Sequence, residues 1–402
     1  IKNNIKVYQA KKPFVTTPMI SLGTLHLKAS LGIIITASHN PPSYNGYKLK
    51  GHYGGPLLPE QVKEVENLIP DKVCTDFESV NLQESSLFEI VDLEEIYYQR
   101  ITRSFNIEKI KNSGMTLAYD AMYGAGQRIM QRLFPGIQHF RCEYNPSFHG
   151  ISPEPIMRNL LPFSEFIKQQ GNVDCGLAND GDADRIGLMN GKGEYIDSHH
   201  IMLLLIHYLY KYKGFRGEVA TGFSSTVKIK KLCELYNLPL HVVPIGFKHI
   251  CGLMLERDIL MGGEESGGIA VKGHIPERDG VWNGMVIWEF MSETGKTLDE
   301  LIQEIYDLVG EFAFERIDLT IPEEQKQKIV ENCKKGVYQQ FGKYKVERVE
   351  DLDGFKYIID DDRWVMIRPS GTEPVLRTYA EGKNKEEALD ILKETHKVIL
   401  NN

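Results

Sequence analysis

Short apolar runs alternate with amphipathic helical stretches through the first three quarters of the chain, and this alternation limits the possible folds more than any other feature. One strand-like run at 115–120 is followed by Gly124-Ala125-Gly126 and by a helical stretch at 127–134. A strand, a glycine turn and a helix in that order indicate an α/β unit. Three such units follow one another, so the sequence predicts an α/β protein with internal repetition.

The last part of the chain has a different pattern. Strand-like runs at 312–321, 355–360, 364–367 and 376–380 follow one another without a helical pattern between them. Strands grouped in this way predict an α+β domain with an antiparallel sheet. A last helix is expected after Asn384, which can cap it. The expected domains are 1–112, 113–198, 199–311 and 312–402.

Composition excludes several classes of partner. A chain of 402 residues with a net charge of −8 lacks the basic balance of a typical nucleic-acid-binding protein. No stretch approaches the ~20 apolar residues of a membrane-spanning helix. The six cysteines include no Cys-x-x-Cys pair, so neither a zinc site nor a disulfide framework is indicated. We expect a cytoplasmic protein without a nucleic-acid or membrane partner.

A serine stands directly after an apolar strand-like run. Ile33, Ile34 and Ile35 predict a strand inside a parallel sheet, and Thr36-Ala37-Ser38-His39-Asn40-Pro41-Pro42 follows. The two prolines exclude a helix and fix the course of the loop. Because open α/β sheets bind ligands beyond the carboxyl ends of their strands, this position predicts chemistry at Ser38. An ordinary strand-to-turn junction is the alternative.

Three carboxylates alternate in a loop between two short apolar runs. The segment Asn179-Asp180-Gly181-Asp182-Ala183-Asp184-Arg185 places all three on one side, where they repel one another unless a cation joins them. Hard carboxylate oxygens suit Mg²⁺ or Ca²⁺. An EF-hand is excluded, because Arg185 occupies the glycine position of that motif and Gly191 its glutamate position. A solvated acidic turn remains the alternative.

Two glycine-containing loops carry further polar groups. In residues 262–268, glycines allow a backbone to approach a ligand, and Glu264 and Ser266 can bind the hydroxyl groups of a sugar. In Arg368-Pro369-Ser370-Gly371-Thr372-Glu373-Pro374, arginine, hydroxyl groups and free backbone N–H groups suit a phosphate. No Walker sequence is present, which excludes a nucleotide P-loop. Each loop taken alone is also compatible with an ordinary turn.

Two lysines are candidates for proton transfer. Lys48 follows the serine loop, and Lys248 lies in Pro244-Ile245-Gly246-Phe247-Lys248. Most lysines are solvated surface charges, but desolvation beside a ligand can make one a proton acceptor.

Together the four loops, in this order, resemble those of the α-D-phosphohexomutase family, which includes phosphoglucomutase, phosphomannomutase and phosphoglucosamine mutase. The resemblance covers nearly the whole chain. It implies three similar α/β domains with mixed sheets and a C-terminal α+β domain around a central cleft. The matching segments are 36–41 for the phosphoserine loop, 180–185 for the metal loop, 263–267 for the sugar-binding loop and 368–374 for the phosphate-binding loop.

The resemblance also implies roles for individual residues. Ser38 would carry a phosphoryl group, and Mg²⁺ would be held by Asp180, Asp182, Asp184 and an oxygen of phosphorylated Ser38. Lys48 would be the general base, and His39 would shape the loop. The implied substrate-binding residues are Arg185, Lys248, Glu264, Ser266, His274, Arg278, Arg368, Ser370, Gly371, Thr372 and Arg377.

The implied reaction interconverts two hexose phosphates through a bisphosphorylated intermediate. Glu265 before Ser266 resembles the glucose branch, because the glucosamine branch usually has glutamine there. We therefore expect glucose 1-phosphate and glucose 6-phosphate as substrates, and glucose 1,6-bisphosphate as intermediate and activator. A phosphomannomutase, a dual-specificity enzyme and a non-catalytic sugar-phosphate binder remain alternatives, and a monomer and a dimer remain equally open.

Two departures from the family pattern stand out. Gly268 occupies a position where some relatives have histidine, and His274 is the nearest substitute. Ser38 also lies close to the first residue, so we expect the first domain to be incomplete at its start.

Overall fold

Strands and helices alternate along most of the computed structural model, which describes residues 3–72, 81–370 and 375–401. The strands are β1 (Val7–Ala10), β2 (Leu31–Thr36), β3 (Gly46–Gly51), β4 (Phe88–Val91), β5 (Leu117–Asp120), β6 (Gln138–Phe140), β7 (Cys175–Asn179), β8 (Ile186–Asn190), β9 (Tyr195–Ile196), β10 (Glu218–Gly222), β11 (Leu240–Val243), β12 (Ile259–Gly263), β13 (Ile269–Val271), β14 (Ala313–Thr320), β15 (Gln340–Phe341), β16 (Tyr344–Lys345), β17 (Arg348–Glu350), β18 (Phe355–Ile358), β19 (Trp364–Pro369) and β20 (Val375–Gly382). The helices are α1 (Thr17–His26), α2 (Pro59–Asn67), α3 (Leu93–Ser104), α4 (Ile107–Lys111), α5 (Gln127–Leu133), α6 (Met157–Gln170), α7 (Ser198–His207), α8 (Val227–Tyr236), α9 (Phe247–Glu256), α10 (Gly280–Thr294), α11 (Leu298–Val309), α12 (Glu323–Lys334) and α13 (Lys385–Asn401).

Contacts divide the chain into two units. The first comprises Ile1–Phe215 and Phe247–Leu301, and the second comprises Arg216–Gly246 and Ile302–Asn402. The fold class is confirmed as α/β with mixed sheets and a C-terminal α+β part. The four domain boundaries expected from the sequence stay predictions.

A mixed five-stranded sheet forms the centre of the first unit. Its order is β6-β5-β7-β8-β9, in which β6, β5 and β7 are parallel and β8 and β9 are antiparallel to their neighbours. Every residue of β5, β7 and β8 is buried, which explains their continuous apolar sequence. The strand and helix expected at 115–120 and 127–134 are confirmed as β5 and α5. The β7–β8 hairpin presents the acidic loop.

The strand before Ser38 is not in a parallel sheet, and that prediction is wrong. It is β2, which pairs antiparallel with β3 in a two-stranded ribbon. Ile34 is buried on the side of α1, whereas Ile33 and Ile35 are 48% and 68% exposed. A run of isoleucines favours a strand by side-chain shape, but it does not determine the direction of the partner strand or which face is covered.

Two helices of the first unit are buried along their length. All residues of α7 except His200 are buried, as are residues 280–291 of α10. Gly284 allows α10 to lie against β7, because a Cβ there would be 2.3 Å from Leu177 Cδ2. None of the described helices is both long enough and apolar enough to cross a lipid bilayer.

The second unit contains a five-stranded antiparallel sheet of order β14-β20-β19-β18-β17. Helices α12 and α13 pack on one face, through Ile329, Ile391 and Leu392 among others. The parallel pair β10–β11 also belongs to this unit. The antiparallel sheet and the Asn384 cap of α13 are confirmed. The expectation of no helix between the strands is wrong, because α12 lies between β14 and β15. The sequence did not reveal this helix, since it has too few apolar residues to show a clear helical pattern.

A buried charge pair lies within the second unit. Glu381 accepts hydrogen bonds from Trp364 Nε1 at 2.8 Å and Thr226 Oγ1 at 2.9 Å. Lys356 donates to the backbone oxygens of Phe223 and Ser225. Burial raises the pKa of Glu381 to about 7, even though the nearby Lys356 charge opposes that shift.

Replacing Glu381 by glutamine is expected to change how stability depends on pH. An ordinary glutamate has a pKa near 4.5, so between pH 4.5 and 7 the unfolded chain releases this proton before the folded chain does, and stability falls as pH rises. The Glu381→Gln variant lacks this titration. Its unfolding free energy relative to the wild type should rise by about 2 kcal/mol between pH 5 and pH 7.5, measured by urea unfolding. If the difference in unfolding free energy between the variant and the wild type were the same at both pH values, the raised pKa of Glu381 would be contradicted.

Candidate active site

The acidic loop forms a compact cluster at the end of the β7–β8 hairpin. One carboxylate oxygen from each of Asp180, Asp182 and Asp184 lies within 4.8 Å of the others. All three side chains are buried. Ala183, between two of them, has a positive φ of 58°, so the loop turns sharply and directs alternate carboxylates inward. The prediction that the three lie on one side is confirmed.

Each carboxylate binds the protein through one oxygen. Asp180 Oδ1 accepts a hydrogen bond from the backbone N–H of Arg185 at 2.9 Å. Asp184 Oδ2 accepts one from Arg278 Nη2 at 2.5 Å.

Asp182 is held by the segments on both sides of the serine loop and by the start of α1. Its Oδ2 accepts hydrogen bonds from Thr17 Oγ1 at 2.6 Å, Lys48 Nζ at 3.0 Å and Thr36 Oγ1 at 3.2 Å. The backbone N–H of Thr17 also donates to Asp182 O at 3.0 Å. The metal loop and the serine segment are therefore joined through one carboxylate.

The second oxygen of each carboxylate is buried without a hydrogen-bond partner among the described residues. These atoms are Asp180 Oδ2, Asp182 Oδ1 and Asp184 Oδ1. Buried anionic oxygens without partners are costly, and three of them so close together fit a hard divalent cation such as Mg²⁺. The three carboxylates therefore fit the divalent-cation site that the sequence predicted for this loop.

The pKa values within the cluster diverge for physical reasons. Burial, followed by repulsion from Asp184 and Asp182, raises the pKa of Asp180 well above its usual range. Burial would also raise the pKa of Asp182, but Lys48 and the hydrogen bond from Thr17 hold it below its usual range. A bound cation favours the ionised form of all three groups.

Ser38 lies directly against this cluster. Its φ is +54°, a left-handed conformation that a serine rarely adopts, and its backbone N–H donates to Thr36 Oγ1 at 2.8 Å. Gly181 allows the two loops to meet, since a Cβ there would lie 2.4 Å from Ser38 O. The structure thus brings together the predicted nucleophile and the predicted metal ligands.

His39 links Ser38 to Arg185. Its Nδ1 lies 3.4 Å from Ser38 Oγ, and its Nε2 lies 3.3 Å from Arg185 Nη2. Arg185 is oriented by Glu154, whose Oε1 accepts a hydrogen bond from Nη1 at 3.0 Å. Burial and the adjacent Arg185 charge lower the pKa of His39 to about 4, so its ring is neutral near pH 7.

Lys48 contacts two of the carboxylates. Its Nζ lies 3.0 Å from Asp182 Oδ2 and 3.6 Å from Asp184 Oδ2. Burial disfavours its charge, but the attraction of these two carboxylates prevails and raises its pKa. In this arrangement Lys48 is a cation, and its role as general base stays a prediction.

The predicted sugar-binding loop connects β12 and β13 and is joined to the metal loop. Within the turn, Glu264 N–H donates to Gly268 O and Gly267 N–H donates to Glu264 O, both at 3.1 Å. Ile186 N–H, at the start of β8, donates to Gly267 O at 3.0 Å. Gly267 has a φ of +86°, and a Cβ there would lie 2.6 Å from Ile186 O, so glycine is required. Glu264 is buried and Ser266 is partly buried.

Arg278 occupies the space beside Gly268. A Cβ on Gly268 would lie 2.3 Å from Arg278 Cδ, and the same arginine binds Asp184. Burial disfavours the charge of Arg278, but the attraction of Asp184, Glu277 and Glu264 prevails and raises its pKa above the usual value. A side chain at position 268 would therefore displace this cation.

His274 and Lys248 differ from the other candidates. The His274 side chain is 2% exposed, its Nε2 lies 2.9 Å from Asp279 Oδ2, and its ring stacks on Trp282 at 3.7 Å. It thus contacts protein groups in the interior, and its sugar-binding role stays a prediction. Lys248 is exposed near the start of α9, and its role stays a prediction.

The predicted phosphate-binding residues lie in the second unit. Arg368 on β19 is directly opposite Arg377 on β20. Like charges opposite one another are unfavourable, and Asp353 compensates by accepting two hydrogen bonds from Arg368, at 3.0 and 3.2 Å. Ser370 is buried. Gly371 and Thr372 lie outside the described residues.

Sequence reasoning missed three residues that contact predicted site residues, and a fourth, Lys50, that pairs with one of these three. Thr17 binds Asp182, Glu154 orients Arg185, and Glu277 and Lys50 form a buried pair next to Arg278. Each is distant in sequence from its partner or from the motif it supports. No spacing rule could have revealed them.

Comparison with known proteins agrees with this geometry. Four phosphoglucomutase/phosphomannomutase family models match in order: alpha/beta/alpha domain I at residues 1–73, domain II at 95–193, domain III at 197–309 and the C-terminal domain at 322–398.

Individual relatives match over most of their length. A phosphoglucomutase/phosphomannomutase of Thermococcus kodakarensis is 30% identical over 94% of this chain and 80% of its own length. A protein of Methanothermobacter thermautotrophicus named as a phosphoglucosamine mutase is 28% identical over 95% of this chain and 81% of its own. A crystal structure named as a phosphomannomutase of Thermus thermophilus superimposes with a TM-score of 0.85 at 30% identity, over 98% of this chain and 84% of its own.

Replacing Gly181 by alanine is expected to separate the serine loop from the acidic loop, because the new Cβ would lie 2.4 Å from Ser38 O and 2.9 Å from Pro153 Cγ. We expect Mg²⁺ binding to weaken about tenfold, or about 1.4 kcal/mol, by isothermal titration calorimetry. Gly136→Ala is the matched control, since no atom lies within 4 Å of its Cβ position. Equal Mg²⁺ affinity in both variants would contradict the contact.

Proposed function

This chain belongs to the phosphoglucomutase/phosphomannomutase family and is an isomerase of the phosphohexomutase class, and we propose that it interconverts glucose 1-phosphate and glucose 6-phosphate. One observation carries the proposal: the loop with three buried carboxylate oxygens that lack hydrogen-bond partners among the described residues meets Ser38 at Gly181, and Thr36 Oγ1 links Ser38 N–H to Asp182. A sugar-phosphate binder without catalysis would not need a hydroxyl group next to such a cluster.

In the proposed reaction, Ser38 carries a phosphoryl group. The bond between phosphorus and Ser38 Oγ breaks while a bond to a sugar hydroxyl oxygen forms, and the proton of that hydroxyl passes to Ser38 Oγ. The resulting glucose 1,6-bisphosphate turns end over end, and its other phosphoryl group returns to Ser38 Oγ. In the second transfer a proton passes back from Ser38 Oγ to the sugar oxygen that the phosphoryl group leaves. Atoms and charge therefore balance over one cycle without a further reactant.

The residues around Ser38 support this assignment. Asp180, Asp182 and Asp184, with an oxygen of phosphorylated Ser38, would hold Mg²⁺, which would neutralise charge and make the phosphorus more electrophilic. The neutral His39 ring lies within 3.4 Å of Ser38 Oγ and is oriented by Arg185. A ring nitrogen at that place can stabilise the serine oxygen as the phosphoryl group leaves.

Binding of the sugar and of its second phosphate is assigned to the other two loops. Glu264 and Ser266 would bind ring hydroxyls in either orientation of the sugar. Arg368, Ser370 and Arg377, with Gly371 and Thr372, would bind the phosphate distant from Ser38. The register supports this role, because Arg368 and Arg377 are directly opposite on neighbouring strands and can offer two guanidinium groups to one anion.

The choice of glucose depends on the residue before Ser266. Glu265 before Ser266 favours glucose over glucosamine, and mannose shares the hydroxyl arrangement at carbons 3 and 4. A phosphoglucosamine mutase is the second candidate, because the relative from Methanothermobacter thermautotrophicus carries that name. Cytoplasmic location and the oligomeric state stay predictions.

Full-length protein with Mg²⁺ and a trace of glucose 1,6-bisphosphate should convert glucose 1-phosphate faster than mannose 1-phosphate or glucosamine 1-phosphate, in coupled assays of each product. A faster rate with another sugar phosphate would change the assigned substrate but not the assignment of the protein as a mutase. Absence of turnover with all three, while a sugar phosphate still binds, would refute the proposed function.

Ser38→Ala should lower turnover by at least about 10⁴-fold and abolish labelling of the protein by glucose 1,6-bisphosphate, because the variant has no hydroxyl oxygen at that position. Ser43→Ala, in the exposed part of the same loop, is the matched control and should behave as the wild type. Residual labelling of the Ser38→Ala variant at the wild-type level would remove Ser38 from the mechanism.

A further inference from the structure

The ribbon that carries the serine loop is supported on one face. Ile33, Ile35 and Tyr47 are 48%, 68% and 65% exposed on the other face, as far as the described residues show. The position of Ser38 over the acidic loop therefore depends on contacts from the covered face. Lys48 and Lys50 are two residues apart on β3, so both side chains point to that face.

Lys50 forms an ion pair in the interior. Its ammonium group donates to Glu277 Oε2, and the two side chains are 2% and 1% exposed. Ser21 Oγ, on α1, donates to the same oxygen at 2.8 Å. The other carboxylate oxygen of Glu277 accepts a hydrogen bond from the backbone N–H of Arg278 at 3.2 Å. Glu277 thus joins β3, α1 and the segment that carries Arg278.

The residues after Glu277 engage two further parts of the first unit. Arg278 binds Asp184 of the metal cluster. Asp279 accepts hydrogen bonds from Tyr97 of α3 and from the backbone N–H of Trp282, and so caps α10. Gly280 lies so close to the metal loop that a Cβ would be 2.1 Å from Arg185 O. Consecutive residues therefore fix the serine ribbon, the metal cluster and a buried helix relative to one another.

We propose that Lys50 and Glu277 are positioning residues, whose buried ion pair holds the Ser38 ribbon in register with the acidic loop through the Glu277–Arg278 peptide. The effect of this pair on turnover rests on the proposed function, whereas its effect on the ribbon does not. Neither residue touches the reacting atoms.

A purely stabilising role of the pair would change the unfolding midpoint and leave kcat unchanged, so the test needs a variant that loses the contact and keeps its stability. Replacing a buried ion pair by apolar side chains of similar volume is often neutral or stabilising, whereas removing one partner leaves an uncompensated charge and is strongly destabilising. The double variant Lys50→Met/Glu277→Gln removes both charges and the contact between the two side chains. The glutamine amide can still accept a hydrogen bond from Arg278 N–H and donate one to Ser21 Oγ, so the penalty in stability is small.

The test compares that double variant with the wild type in three measurements. We expect an unfolding midpoint similar to that of the wild type and kcat lowered about tenfold or more, with KM changed less than about threefold, because the misplacement affects the reacting oxygen and not the sugar contacts. We also expect faster amide hydrogen exchange in residues 36–45, with exchange in β7 and β8 unchanged. The control is Lys272→Met/Asp258→Asn, which removes an exposed ion pair of the same unit.

Wild-type kcat together with wild-type exchange in residues 36–45 would overturn the proposal. If the double variant does not fold, Lys50→Leu/Glu277→Gln, which also removes both charges and the contact between the two side chains, is judged by the same criteria. If the wild type turns over no sugar phosphate, the proposed function fails, and hydrogen exchange alone decides the positioning role. Unchanged exchange would then refute it.

Discussion

Mutual repulsion of three buried carboxylates is the constraint on which the rest of this site depends. Asp180, Asp182 and Asp184 can lie within 4.8 Å of one another only because each gives one oxygen to a different protein group. These groups come from the metal loop itself, from the start of α1 together with the residues that flank the serine loop, and from the segment after the sugar-binding loop. The remaining oxygens converge without partners among the described residues, so the same contacts that assemble the site also leave a place for a cation.

This arrangement explains why glycines occur where the loops meet. Gly181 faces Ser38 O, Gly267 faces Ile186 O and Gly268 faces the side chain of Arg278. At each position a Cβ would lie less than 3 Å from a neighbouring atom. The glycines therefore serve close approach between loops, whereas the sequence alone indicated close approach of a ligand for residues 262–268.

Much of the site could be predicted because its residues form local patterns. Alternation in 180–184 places three carboxylates on one side whatever the surroundings, and an apolar run on each side of them predicts the hairpin that presents them. The contacts of Thr17 and Glu277 could not be predicted, because each joins segments more than 150 residues apart. The direction of β2 was predicted wrongly for a related reason: side-chain shape favours a strand, but the partner strand is chosen by tertiary packing. His274 was selected for its chemistry, and its contacts with Asp279 and Trp282 likewise depend on tertiary packing.

The central claim is that the three unpartnered oxygens together hold one divalent cation beside Ser38. The most direct test is a crystal structure with Mn²⁺ in place of Mg²⁺, in which anomalous scattering locates the ion independently of any assumed position. We predict one strong peak within about 2.0–2.3 Å of Asp180 Oδ2, Asp182 Oδ1 and Asp184 Oδ1. A peak bound elsewhere, or no peak at this cluster under saturating Mn²⁺, would contradict the account.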